Sequence, residues 1–189
     1  MIKFRGHSLV IGATGTGKGV LVAAQAKKWM AAGGQVWLLA NKPDEFEKFP
    51  ATAKTMDQNV LLEWVKKAKA PKEGYVNIMV VIDEAWAWNW KGEGGLQMIA
   101  NAARSYGVEM WVQSQFPTQM APTVRANCQN VFCFLLTEPA ALSWIDKTYG
   151  KPFDRVRELP PGRYVAKRGL EEPFFATAWF EKDGNWAGV

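Results

Sequence analysis

Cysteine and histidine are nearly absent: Cys128, Cys133 and His7 are the only ones in 189 residues. A structural zinc site takes about four Cys or His ligands, so this set excludes one. Two thiols among apolar neighbours rule out a disulfide scaffold equally well, and reduced cysteines with a purely structural histidine are expected. No apolar run approaches the about 18–20 residues that span a bilayer. Glycines interrupt the short N-terminal apolar stretch at once, unlike a secretory leader. Charge of one sign does not dominate either. Lys plus Arg number 23 against 18 Asp plus Glu, giving a net charge of +5 and a pI near 9.2. That mild excess is compatible with a polyanionic partner without requiring one. With 22% charged and 48% hydrophobic residues, disorder is excluded and one packed core is well supplied. These absences predict one soluble intracellular domain over residues 1–189, with no membrane span.

Apolar runs alternate with helical patterns along most of the chain. Ser8–Ile11, Gln35–Ala40, Tyr75–Ile82, Val108–Val112 and Val131–Leu136 read as buried strands. Helices are predicted over Val20–Ala32, which stops at Gly33-Gly34, and after Asp57 as N-cap, where Leu61, Trp64, Val65 and Ala68 recur at helical spacing. Further helical patterns run from Leu96 to Ala103 and from Leu142 to Tyr149, with a short turn after Pro122. The ending differs: Arg163–Ala166 and Phe174–Phe180 read as paired strands within a β extension over about 160–182. The fold class expected is three-layer α/β with a mainly parallel sheet and a C-terminal β-hairpin.

The strongest chemical signal is Gly12-Ala13-Thr14-Gly15-Thr16-Gly17-Lys18-Gly19, followed by Val20. It matches G-x-x-x-x-G-K, the P-loop, and stands between a buried strand and a helix, where its mechanism requires it. Glycines let backbone N–H groups converge on one point, the helix N-terminus adds positive potential, and Lys18 supplies charge for β- and γ-phosphates. ATP is the expected ligand. The position after the lysine normally carries Ser or Thr, whose hydroxyl binds Mg²⁺, and Gly19 stands there instead. Thr14 and Thr16 are candidate substitutes, and metal affinity is the property placed in question.

About 65 residues beyond Lys18, the apolar run Ile78–Ile82 ends in Asp83-Glu84, the Walker B arrangement. Ligands collect beyond the carboxyl ends of parallel strands, so both carboxylates are expected near Lys18. Asp83 is assigned to Mg²⁺, directly or through water, and Glu84 to orienting and deprotonating the attacking water. The next strand ends in Gln113-Ser114-Gln115. Gln115 is the first candidate for a γ-phosphate sensor and Gln113 the fallback.

Trp86, Trp88 and Trp90 alternate in a loop that Lys91 follows. Interleaved aromatic and basic residues can bind nucleic acid, but packing against the domain or a neighbouring subunit is favoured here, because a duplex is held mainly by its phosphates. Lys66, Lys67, Lys69 and Lys72 read as a solvated helix face.

Taken together, GATGTGKG, VVIDEA and the run ARSYGVEMWVQSQFPTQMAPTVRANCQNVFCF resemble the FtsK–HerA superfamily of DNA-pumping ATPases. The small size is most like the genome-packaging ATPases of membrane-containing icosahedral viruses and phages, and LPPGRYVAKRG fits that branch more loosely. The resemblance implies a homo-hexameric ring that drives double-stranded DNA through a central pore into a preformed capsid, meeting capsid or portal-vertex proteins. It implies work in the host-cell cytoplasm, or within the virion at a packaging vertex. It also implies an arginine finger reaching the neighbour's nucleotide: Arg104 matches the trans-acting arginine best and Arg125 the second. Three alternatives stay open: a filamentous-phage assembly ATPase resembling the zonula occludens toxin family, a small-molecule P-loop kinase, and a nucleotide-gated binding module without turnover.

Overall fold

Strand residues buried on both faces dictate a sheet with helices on either side. The computed structural model, which describes residues 2–42, 47–92, 95–102, 105–180 and 186–187, contains one such sheet of eight strands. In chain order the elements are β1 (Ile2–Lys3), β2 (His7–Ile11), α1 (Lys18–Ala31), β3 (Gln35–Leu39), β4 (Ala53–Thr55), α2 (Gln58–Lys67), β5 (Tyr75–Val76) and β6 (Ile78–Ile82). There follow α3 (Gln97–Ala102), β7 (Val108–Ser114), α4 (Pro122–Asn127), β8 (Cys128–Cys133), α5 (Pro139–Tyr149), β9 (Arg163–Arg168) and β10 (Phe174–Thr177). The strand order is β10-β9-β8-β2-β7-β6-β3-β4. The six strands from β8 to β4 are parallel, whereas β9 and β10 add antiparallel at one edge. A separate antiparallel pair joins β11 (Trp179–Phe180) to β12 (Trp186–Ala187).

Alternation along each strand sends side chains into two cores. Leu9, Ile11, Val80, Ile82 and Val112 pack with Leu61 and Val65 of α2, Ile99 of α3, Val124 of α4 and Ile145 of α5. On the other face Val10, Met79, Val81, Trp111 and Phe132 pack against Leu21, Val22 and Ala26 of α1. This is the three-layer α/β arrangement expected, with its mainly parallel sheet and C-terminal hairpin. Asp57 caps α2 as expected, its Oδ1 accepting from the Asn59 N–H at 2.8 Å. No helix among the described residues is long and apolar enough to cross a membrane.

Local boundaries differ from the sequence reading in several places. The run Tyr75–Ile82 is two strands that change partners at Asn77: its N–H donates to Gly107 O and its carbonyl accepts from Gln35 N, both in the main sheet's neighbouring segments. β5 then pairs antiparallel with β1, and β6 alone joins the main sheet. The strand expected at Val131–Leu136 lies at Cys128–Cys133 instead. Polar Gln129 and Asn130 masked its start. Gln129 Oε1 accepts from the His7 N–H, and Asn130 Nδ2 donates to Arg5 O and Gly6 O, so neither disrupts the pairing. The run Phe174–Phe180 divides at Ala178, whose N–H turns to Gly162 O at 2.7 Å. β4 at the far edge carries no apolar run to announce it.

Candidate nucleotide site

The glycine-rich loop springs from the middle of the sheet. Gly12 N–H donates to Ser114 O at the end of β7, and Ala13 N–H to Leu135 O just past β8. Side chains are excluded by close approach: a Cβ on Gly12 would lie 2.6 Å from the Phe134 Cβ. Gly17, at φ 111°, is the left-handed N-cap of α1, a conformation that disfavours any residue with a Cβ. α1 then starts at the end of the loop with no acidic residue in its first turn, and the first-turn N–H groups of a helix lack intrahelical acceptors, an arrangement suited to an anion. Lys18 Nζ lies back across the loop, donating to Gly12 O at 2.8 Å and Ala13 O at 3.0 Å. The turn before β9 buttresses it, with Gly162 N–H donating to Thr16 O at 2.9 Å.

Two carboxylates stand two strands away. β6 ends at Ile82, the Asp83 N–H continues the ladder to Leu39 O, and both Asp83 and Glu84 are buried. Glu84 adopts left-handed backbone (φ 44°, ψ 53°), the one non-glycine residue with positive φ among those described. Such strain costs on the order of 1–3 kcal/mol and persists only where surroundings enforce it. The enforcing contacts are visible. Lys42 Nζ donates to Glu84 Oε1 at 2.7 Å, and Trp86 Nε1 donates to Oε2 at 2.7 Å. Burial pushes the Glu84 carboxyl up, but the hydrogen bonds from Lys42 and Trp86, with the charges of Lys42 and Lys18, hold it below the usual value. Glu84 is therefore a carboxylate at neutral pH.

The strand order brings these groups together. β7 lies between β2 and β6, so Gln113 and Gln115 stand between the loop and the acidic pair. A cleft of about 570 Å³ opens over the strand ends. Thr14, Gly15, Gly17, Lys18, Gly19 and Val20 line one side, while Gly12, Ala13 and Thr16 build the loop behind them. Asp83, Glu84, Lys42 and Gln113 line the other. Gln113 is thus the glutamine buried in the cleft wall, whereas Gln115 Oε1 accepts from Thr14 Oγ1 at the rim, 3.0 Å away. Of the two threonines considered for a metal, Thr16 is buried with its hydroxyl donating to Ala13 O, and Thr14 is exposed.

Other sequence-picked residues lie elsewhere. Arg104 falls outside the described residues. Arg125 does not line the cleft: its guanidinium sits 5.0 Å from the Trp144 ring centroid, and burial lowers its pKa. Trp88 and Trp90 donate their indole N–H groups to Asp83 O and Ala85 O, so these rings brace the acidic turn. Lys66, Lys67, Lys69 and Lys72 are all exposed, but only the first two lie on a helix face: α2 ends at Lys67, where Ala68 turns to extended backbone, so Lys69 and Lys72 stand in the loop beyond it. His7 is buried, with Nδ1 accepting from Met110 N–H, and burial pushes the Cys128 thiol up to about 12 and Cys133 well above its usual value. Lys42 was not found from sequence. Its only signal is that it closely follows strand β3, which ends on the same edge as the acidic pair.

No protein-family model and no curated protein matches the chain. Solved structures do. The genome packaging NTPase B204 from Sulfolobus turreted icosahedral virus 2, in complex with AMPPCP, superposes with a TM-score of 0.73 at 17% identity, covering 90% of this chain and 96% of that one. The pCW3 conjugation coupling protein TcpA with ATPγS follows at 0.69 and 18%, over 97% of this chain and 63% of that one. The chain has the fold of these ATPases. The cytoplasmic domain of the Thermomonospora curvata Type VII secretion ATPase EccC extends the likeness, with a TM-score of 0.62 and 19% identity over 92% of this chain and 25% of that one. In this P-loop ATPase fold the glycine-rich loop, the glutamine-bearing strand and the acidic pair occupy three consecutive strand ends, the edge at which open α/β sheets bind ligands.

Proposed function

We propose that this protein is an ATPase that drives double-stranded DNA into a preformed viral capsid. The observation carrying the proposal is the convergence of Lys18, Gln113 and the Asp83–Glu84 pair on one cleft, in a fold shared over nearly the whole length of a genome-packaging NTPase. The loop N–H groups and the start of α1 bind the phosphate chain, and Lys18 leaves its two carbonyl partners to meet the β- and γ-phosphates. Glu84, ionised at neutral pH, orients the water and accepts its proton as the bond to the γ-phosphorus forms and the bond to ADP breaks. Gln113, with Gln115 at the rim, registers the γ-phosphate.

A magnesium ion fits the donors present. Mg²⁺ is usually bound by one or two carboxylates plus substrate phosphates while keeping several waters, and Asp83 in the cleft wall supplies that carboxylate. When bound, the ion neutralises charge developing on the phosphate oxygens. Gly19 offers no ligand, so Asp83 is the protein's contribution.

The further reading follows the family resemblance. A homo-hexameric ring places Arg104, or failing that Arg125, at a neighbour's nucleotide, and the ring meets capsid or portal-vertex proteins in the host cytoplasm or at a virion vertex. The deciding experiment is ATP hydrolysis with and without duplex DNA. Stimulation by duplex is expected to fall steeply between about 50 and 200 mM salt, because a sequence-independent motor grips phosphates and releases counterions. Lys18→Ala is expected to lose nucleotide affinity, and Glu84→Gln to keep it while losing turnover. Unchanged affinity in the first or parental turnover in the second refutes the site assignment, and salt-insensitive or single-strand-only stimulation refutes the substrate.

A further inference from the structure

Three tryptophans follow the acidic pair, and one of them bonds differently. Trp88 and Trp90 donate to backbone carbonyls, which fixes the turn. Trp86 donates to a side-chain carboxylate, Oε2 of Glu84, while Lys42 holds Oε1. The Trp86 ring is also 38% exposed, against 5% for Trp90, so it is not locked into the core. Its ring stands edge-on to Phe116, with centroids 5.5 Å apart and planes at 85°. Phe116 directly follows Gln115, which accepts the hydrogen bond from Thr14 in the P-loop. An unbroken series of contacts thus runs from Thr14 through Gln115, Phe116 and Trp86 to Glu84.

We infer that Trp86 is a positioning residue that ties the Glu84 carboxylate to the loop after β7, so that nucleotide entering the cleft resets where that carboxylate sits. The inference rests on the ATPase reading above and names a residue that reading does not use. A phosphate that competes for Thr14 or Gln115 shifts the 115–116 segment. Phe116 is the surface on which the Trp86 ring rests, so the indole N–H re-aims with it. Lys42 and Trp86 hold opposite oxygens of one carboxylate, and both bonds are charge-assisted and hence directional. Moving one donor therefore rotates the carboxylate about the other. Without the indole N–H, Glu84 is left to Lys42 alone and loses the orientation a water requires.

Trp86→Phe keeps a ring against Phe116 and removes the N–H, whereas Phe116→Ala keeps the N–H and removes the support. Each is expected to lower kcat about tenfold with KM for ATP within twofold. The double variant is expected to lose no more than the worse single one, since both break one link. Multiplying losses, or a KM effect without a kcat effect, overturns the inference. The link is also readable without turnover. Each indole N–H gives one peak in a ¹H–¹⁵N spectrum, and the peak missing in Trp86→Phe belongs to Trp86. That peak is expected to move in Glu84→Gln, and to move in the parent when AMPPCP is added. With Gln115→Ala it stays in place although calorimetry shows AMPPCP bound. A peak unmoved by Glu84→Gln, or by bound AMPPCP in the parent, overturns the inference. Absence of both AMPPCP binding and hydrolysis in the parent overturns the ATPase reading and the nucleotide-driven step with it, while the Glu84→Gln shift still decides the Trp86–Glu84 link.

Discussion

Gly19 is the position where a single side chain tests both the helix and the metal. It is the second residue of α1, it is exposed in the cleft wall, and a Cβ built on it meets nothing within 4 Å. Its backbone is not among the positive-φ glycines, so Ala or Ser fits without strain. In a helix interior Gly is about 0.8–1.0 kcal/mol worse than Ala, with Ser between them. At the second helical position, where fewer backbone bonds depend on it, about half of that is expected. A gain of 1 kcal/mol raises Tm by about 2–4 °C in a chain of this size. Gly19→Ala is therefore expected to raise Tm by about 1–2 °C and Gly19→Ser by somewhat less. The metal readout separates the two variants. Only Ser adds a hydroxyl opposite Asp83, and a ligand worth about 1.4 kcal/mol lowers the half-maximal Mg²⁺ concentration for ATP hydrolysis about tenfold. Thermal melts and Mg²⁺ titrations of parent, Gly19→Ala and Gly19→Ser decide the matter. If Ser and Ala titrate alike, the hydroxyl does not reach the ion. If both variants lose stability, the open-space argument fails as well.

Three further outcomes are expected. Tyr164 is fully buried and its hydroxyl has no hydrogen-bond partner among the described residues, so Tyr164→Phe is expected to raise unfolding free energy by about 1 kcal/mol in denaturant titration; a loss of similar size would reveal a partner. Burial outweighs the hydrogen bonds from Arg5 N and Trp111 Nε1 and raises the Glu109 pKa, so the folded state keeps a proton there that the unfolded state has released. The parent is thus expected to lose stability relative to Glu109→Gln as pH rises from the unfolded carboxyl value through the folded one, and a flat difference between the two melts across that window refutes it. Mixing Arg104→Ala with Lys18→Ala is expected to restore part of the ATPase activity that each lacks, since one subunit supplies the P-loop and the other the arginine; mixed oligomers without rescue would move the role to Arg125.

Local chemistry settled the parts of this site that are contiguous in the chain. A phosphate loop needs glycines, a lysine and a following helix within eight residues, and an acidic pair needs only an apolar strand before it. Both were therefore legible in the sequence. So were the buried strands, because burial on two faces leaves an unbroken apolar run. The breaks at Asn77 and Ala178 and the early start of β8 were not legible. There the outcome depends on partners far along the chain, such as Gly107 for Asn77 and His7 for Gln129. Nor does periodicity encode strand order. Only the tertiary structure sets β7 between β2 and β6, which puts Gln113 in the cleft wall and Gln115 against Thr14, 101 residues away. Lys42 and Glu84 are 42 residues apart, and their pairing exists because β3 and β6 are neighbours ending at the same edge. The sequence determined which groups the protein carries for phosphate chemistry. The sheet's order decided which of them face one another, because side chains meet across strands according to pairing and register, and those are properties of the whole chain.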